Sequence, residues 1–215
     1  MRLLFIGNSL TQRNDLPGLL TSMAAASDPP REVVTERVVV NGASLRLHWN
    51  AGTALELIRQ GSWDAVVLQE QSTLPIKNRK RYHENVRLFH EAIQASSART
   101  LLYHTWARRN APETQDDLDA AVAEIAGELE AQVLPVGRAW RRVLEGGTGP
   151  DLYDKDGSHP SPAGTYLAAC VLYATLFERS PEGLLAPPTV PITPDGALSL
   201  QRAAWAAVND LGDRS

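Results

Sequence analysis

Apolar runs alternate along this chain with stretches of helical periodicity. "LLFI" (3–6) predicts a first strand, and "LPGLLTSMAAAS" (16–27) a helix with Pro17 near its start, where proline is tolerated. "EVVTERVVV" (32–40) is rich in β-branched residues and predicts a second strand or a hairpin. "TALELIRQ" (53–60) predicts a short helix, and "DAVVLQ" (64–69) a third strand apolar enough to be buried on both faces. "HENVRLFHEAIQAS" (83–96) predicts a helix and "RTLLYHTW" (99–106) a fourth strand. In 113–131 the apolar residues Leu118, Val122, Ile125 and Leu129 recur at helical spacing, which predicts an amphipathic helix. "QVLPVG" (132–137) predicts a fifth strand. "SPAGTYLAACVLYATLF" (161–177) predicts a long buried helix with Ser161 as N-cap and Pro162 in its first turn. A proline-rich loop and a final helix complete the chain.

Strands alternating with helices imply βαβ units and a parallel sheet covered on both faces. The expected architecture is a single domain over residues 1–215. In such sheets ligands bind at the carboxyl ends of the strands. The positions just after the strands are therefore the site candidates: Gly7-Asn8-Ser9, Asn41-Gly42, Gln69-Glu70-Gln71, Thr105-Trp106 and Gly137-Arg138.

The first of these groups bears a serine on a turn that leaves a buried strand through a glycine. Glycine permits the sharp turn, and the hydroxyl can then stand proud of the sheet edge. A serine hydroxyl is a weak nucleophile unless a base lies within hydrogen-bond reach and a third group orients that base. Among the five histidines, His48, His83, His90 and His104 stand in loop, helix or strand contexts that suit structural roles. His159 stands in a short loop, "DGSHP", before the long helix. Asp156 can bend back to accept its Nδ1–H, leaving Nε2 free for the Ser9 proton. Acyl transfer also needs donors for a developing oxyanion. The backbone N–H groups of Ser9 and Gly42 are candidates, as are the side-chain amides of Gln69 and Gln71. Asn8 beside the nucleophile and Trp106 after the fourth strand are the expected substrate-side residues, the indole as a stacking face for a sugar.

Composition narrows the classes. Net charge is −4, from 21 basic and 25 acidic residues, with no basic patch dense enough for nucleic acid. "KNRKR" (77–81) reads as a solvated helix start. The single cysteine, Cys170, excludes an internal disulfide and a multi-thiolate metal site. No run approaches the roughly 20 apolar residues of a membrane span, and the N-terminal apolar run falls short of a signal peptide's ~7–15. The expectation is a cytoplasmic protein. No dinucleotide or P-loop glycine pattern follows the first strand.

Taken together the motifs resemble the SGNH (GDSL-type) hydrolase superfamily. Gly7-Asn8-Ser9-Leu10 is similar to its nucleophile block, Gly42 to its glycine block, and Asp156-Gly157-Ser158-His159 to its Asp-x-x-His block, in that order. Asn8 replaces the usual aspartate. "LQEQS" (68–72) stands where a Gly-x-Asn-Asp motif is usual, and is similar to branches of the sialate O-acetylesterase type, in which glutamine takes the asparagine's role. The resemblance implies a three-layer α/β/α sandwich with a five-stranded parallel sheet of flavodoxin-like order. It implies a serine esterase acting on short acyl groups, O-acetyl on a carbohydrate or another small molecule, without metal or cofactor. Ser9 is the implied nucleophile, His159 the base and Asp156 its orienter. Ser9, Gly42 and Gln69 form the implied oxyanion hole, with Gln71 as the second choice for the amide. A lipase or thioesterase of the same fold and a silent glycan-binding domain are the alternatives. The tail at 185–215 either caps the sheet edge or meets a second subunit.

Overall fold

The computed structural model describes residues 1–147 and 149–212. The final three residues of the 185–215 tail thus lie outside the described residues. Five strands form one parallel sheet in the order β2-β1-β3-β4-β5. They are β1 (Arg2–Gly7), β2 (Val34–Val39), β3 (Ala65–Leu68), β4 (Arg99–Tyr103) and β5 (Gln132–Leu134). The 32–40 stretch is one strand rather than a hairpin, because Arg2 to Gly7 pair in parallel with its whole length.

The helices are α1 (Ser9–Gln12), α2 (Leu16–Ala25), α3 (Leu45–Ala51), α4 (Thr53–Gln60) and α5 (Leu74–Lys77) in the first half. They continue with α6 (Arg79–Ala95), α7 (Gln115–Leu129), α8 (Val136–Gly146), α9 (Pro162–Phe177) and α10 (Pro194–Gly212). Because successive strand residues face opposite sides, the sheet splits cleanly between two cores. Leu3, Phe5, Val67, Leu101 and Tyr103 face α2, α8, α9 and α10. Leu4, Ile6, Val66, Leu68 and Leu102 face α3, α4, α6 and α7. The result is the expected three-layer sandwich.

Helix α9 is buried all round, from Ala163 to Leu176, since α2, α8, α10 and the sheet cover it on every side. Each fully buried large apolar side chain there contributes ~1.5–3 kcal/mol. Ser161 caps it, its hydroxyl accepting the Gly164 N–H. Asn78 caps α6, so the basic run 77–81 is a helix start.

Two expectations change. Helix α8 begins where the sequence pattern suggested the end of a strand: β5 stops at Leu134 and Pro135 turns the chain. Gly137 is therefore no post-strand turn. It lies in the first turn of α8, where an added Cβ would meet the Thr105 carbonyl oxygen at 2.2 Å. His83 is buried, bonded through Nε2 to the Ala121 carbonyl. His104 is also buried and pairs with Asp119 at 3.0 Å. Both histidines are thus held in structural contacts, as their sequence contexts suggest.

Candidate active site

The site grows from the end of β1. Gly7 is required by close approach, since a Cβ there would meet Gln69 Oε1 at 2.6 Å and Thr11 Oγ1 at 2.8 Å. Asn8 then takes an extended backbone and caps α1, its Oδ1 accepting the Leu10 N–H at 3.1 Å. Its Nδ2 donates to the Ala43 carbonyl at 2.9 Å, tying the turn to the loop after β2. Ser9 thus becomes the first residue of α1, with an N–H that has no intrahelical acceptor.

The far end of the chain supplies the second half. Ser9 Oγ lies 2.8 Å from His159 Nε2, and His159 Nδ1 lies 2.5 Å from Asp156 Oδ2. The carboxylate can only accept, so Nδ1 carries the proton and Nε2 is left to accept from the serine hydroxyl. The other Asp156 oxygen accepts the backbone N–H groups of Ser158 and His159, both at 2.9 Å. These bonds, the His159 N–H foremost, hold the Asp156 carboxyl well below the usual carboxylate range. The loop can close on itself in this way because Gly157 adopts φ +66°.

Several ties hold the loop against the Ser9 segment. Trp106 Nε1 donates to the Ser158 carbonyl at 3.0 Å, and the Arg109 N–H to the Gly157 carbonyl at 2.9 Å. Arg13 pairs with Asp154. Asn14 Nδ2 donates to the Pro160 carbonyl and the Thr165 hydroxyl. Residues 13 and 14, directly after α1, therefore grip both flanks of His159.

Ser9 and His159 open into a hollow of about 670 Å³ that is also lined by Asn41, Gly42, Gln71 and Arg108. Gly42 has φ +70° with nothing within 4 Å of an added Cβ, so backbone conformation alone calls for glycine there.

Three sequence expectations need correction. Gln69 is fully buried and does not line this hollow. Its Oε1 accepts from the Asn8 N–H at 2.8 Å and the Thr11 hydroxyl at 3.0 Å, while its Nε2 donates to the Glu70 carbonyl. Its oxygen is spent in bracing the serine turn, and its buried amide nitrogen lies away from the lining of the hollow. Trp106 is not the sugar-stacking face expected beside Ser9: it is buried, does not line this hollow and lies parallel to Trp140, with ring centroids 3.9 Å apart. Asn8, though it borders the hollow, is 3% exposed and spends its amide on Leu10 and Ala43, so it shapes the turn rather than meeting substrate.

Gln71 does line the hollow. Its Oε1 accepts from the Thr73 N–H and hydroxyl, which directs the opposite Nε2 away from that turn. Glu70 is buried between them. Its carboxylate accepts the N–H groups of Leu45 and Gln71 and the Asn85 amide, joining the strand-three exit to α3. Burial pushes its pKa up, opposed by those three hydrogen bonds. Sequence reasoning also missed His48, whose ring lies 2.7 Å from the Gly7 carbonyl beneath the turn. Burial pushes its pKa down, favouring the neutral ring. A histidine beside an unassigned helix gave no signal of this. Among the described residues no group of three His, Cys, Asp or Glu is placed to hold a metal ion, and no helix is long and apolar enough to cross a membrane.

No protein-family model matches the chain, and no curated protein matches it. Solved structures do. A protein assigned to the SGNH hydrolases, from Slackia heliotrinireducens, is 32% identical with TM-score 0.69, over 82% of this chain and 98% of that one. A DUF4886 family protein from Bacteroides uniformis is 19% identical with TM-score 0.77, over 97% and 95%. An acetylxylan esterase from Geobacillus stearothermophilus is 18% identical with TM-score 0.63, over 82% and 92%. The last two share the fold.

Proposed function

The chain belongs to the SGNH hydrolases, and from that premise we propose that it is a serine esterase removing short acyl groups, such as acetyl, from a small polar alcohol or carbohydrate. The reading is carried by one observation, the continuous chain from Ser9 Oγ through the His159 ring to Asp156. Ser9 Oγ attacks the ester carbonyl while its proton passes to His159 Nε2. The tetrahedral oxyanion is held by the N–H groups of Ser9 and Gly42 and by the Gln71 side chain, in place of Gln69. The intermediate collapses, the C–O bond to the alcohol breaks, and His159 returns the proton to the departing oxygen. Water then attacks the acyl-serine with His159 as base, releasing the acid and restoring the hydroxyl. Asp156 keeps the ring in the required tautomer throughout.

The open hollow, lined by serine, asparagine, glutamine and arginine side chains, favours a polar ester over a long acyl chain. The acetylxylan esterase neighbour is a protein of this fold with a substrate of that kind. A panel of p-nitrophenyl esters from acetyl to palmitoyl, alongside acetylated sugars, tests the reading. Fastest turnover on acetyl or propionyl esters supports it. Preference for long chains makes the protein a lipase or thioesterase, and glycan binding with no turnover makes it a binding module.

A further inference from the structure

A second hollow adjoins the one at Ser9. Ser72 and Arg108 line both. The second, about 280 Å³, is walled by Trp106, Ile76, Ala107 and Leu118 and is predominantly apolar, with Lys77 at its edge. The two together present three cationic side chains, Arg13, Lys77 and Arg108, and no carboxylate, in a chain of net charge −4. With Arg13 paired to Asp154, the excess charge along this wall comes from Lys77 and Arg108 and is opposite in sign to that of the whole molecule, and clefts of one sign concentrate ligands of the other.

Arg108 stands apart from its neighbours. Arg13 is paired with Asp154, and Arg109 with Asp151. Among the described residues Arg108 has no carboxylate partner within 4.0 Å. Its backbone is nonetheless fixed on both sides. The Ala107 N–H donates to Gln115 Oε1 at 2.7 Å, the Arg109 N–H to the Gly157 carbonyl, and the Arg108 carbonyl accepts the Ala111 N–H at 3.0 Å. A planar five-donor fork on a fixed stem, at the junction of a polar reaction chamber and an apolar recess, suits a carboxylate.

We propose that Arg108 is a specificity residue, and that the preferred substrate is a short-chain ester of a hydroxy acid. The scissile acyl group lies at Ser9, the carboxylate of the leaving alcohol lies on Arg108, and the apolar body of that alcohol fills the second hollow. This deepens the esterase reading and rests on it.

The test compares 4-acetoxybenzoate with its neutral isostere 4-acetoxybenzamide, in wild type, Arg108→Gln and Arg108→Lys. The readout is the ratio of kcat/KM for the two esters; taking that ratio in each protein cancels their intrinsic difference in reactivity. The ratio in wild type should exceed that in Arg108→Gln roughly tenfold, chiefly through KM, with Arg108→Lys between. It should also fall as salt rises, because the guanidinium is exposed. Equal ratios in wild type and Arg108→Gln overturn the assignment. If wild type cleaves neither these esters nor any other, the esterase reading fails separately. Calorimetry with 4-hydroxybenzoate then decides on Arg108 alone: binding that disappears in Arg108→Gln upholds the anion site, and absent or unchanged binding rejects it.

Discussion

Gln69 Oε1 accepts the backbone N–H of Asn8 at 2.8 Å, so a side chain leaving β3 fixes the residue immediately before Ser9. The same oxygen accepts from Thr11 in the first turn of α1. The serine turn is therefore braced from beneath by an amide that does not line the hollow, while Gln71, two residues on, does line it.

The two glutamines should consequently fail in different ways. Gln69→Ala leaves a buried N–H and a hydroxyl without their acceptor and should cost about 1–3 kcal/mol of stability, read by denaturant titration. Gln71→Ala should leave stability nearly unchanged and lower kcat ~10²–10³-fold if its amide holds the oxyanion. A Gln69→Ala protein of normal stability with collapsed kcat would restore the original assignment.

This pair shows where sequence patterning gives out. Alternation puts Gln69 and Gln71 on one face of an extended segment, but β3 ends at Leu68, and beyond that residue period two no longer applies. Within the strands it does apply, and there the alternation of Leu3 and Phe5 against Leu4 and Ile6 places the two cores. Helix α8 was illegible for another reason. Its apolar residues Val136, Ala139, Trp140 and Val143 have helical spacing, but its first residues fall within 132–137, which reads as the end of a strand. Without α8 nothing indicated that Trp106 would turn inward onto Trp140. The Asp156 to His159 spacing was legible because a four-residue loop leaves few ways for the two side chains to meet.

Trp106 accordingly behaves as a support. Trp106→Ala should destabilise the fold by about 3–5 kcal/mol through the cavity against Trp140. Trp106→Phe should retain most of the stacking yet lose the bond to the Ser158 carbonyl, lowering kcat with little change in KM. Thermal unfolding and steady-state kinetics of both variants check this. A raised KM for sugar esters with unaltered stability would return Trp106 to the substrate.

Asp156 carries a pH signature. Its folded-state pKa is depressed, so its contribution to stability is present above the unfolded carboxyl value near ~3.9 and fades as pH falls through the folded value. The stability difference between wild type and Asp156→Asn should hold from pH 7 to about 5 and shrink below ~4. The carboxylate is part exposed, so the difference is modest throughout. Thermal melts across that range check it, and a difference that instead grows toward low pH would contradict the assignment. In activity the same substitution should be severe, ~10⁴-fold in kcat, because an amide donor facing Nδ1 favours the wrong tautomer.

Gly42→Ala isolates backbone conformation from crowding. No atom lies within 4 Å of the new methyl group, so any loss comes from φ +70°. The expected cost is ~1–2 kcal/mol in stability, or an equivalent loss in kcat if the loop relaxes and swings its N–H away from the oxyanion. Unfolding and kinetics measured on one preparation show which way the strain is released, and no change in either would remove Gly42 from the account.

The central claim is that Ser9 forms the acyl-enzyme with His159 as its base. Active-site labelling with a fluorophosphonate, followed by peptide mass mapping, tests it most directly. The account predicts one stoichiometric adduct on Ser9, abolished by Ser9→Ala and slowed by several orders of magnitude in His159→Ala. An adduct on any other residue, or ester turnover that survives in Ser9→Ala, would contradict it.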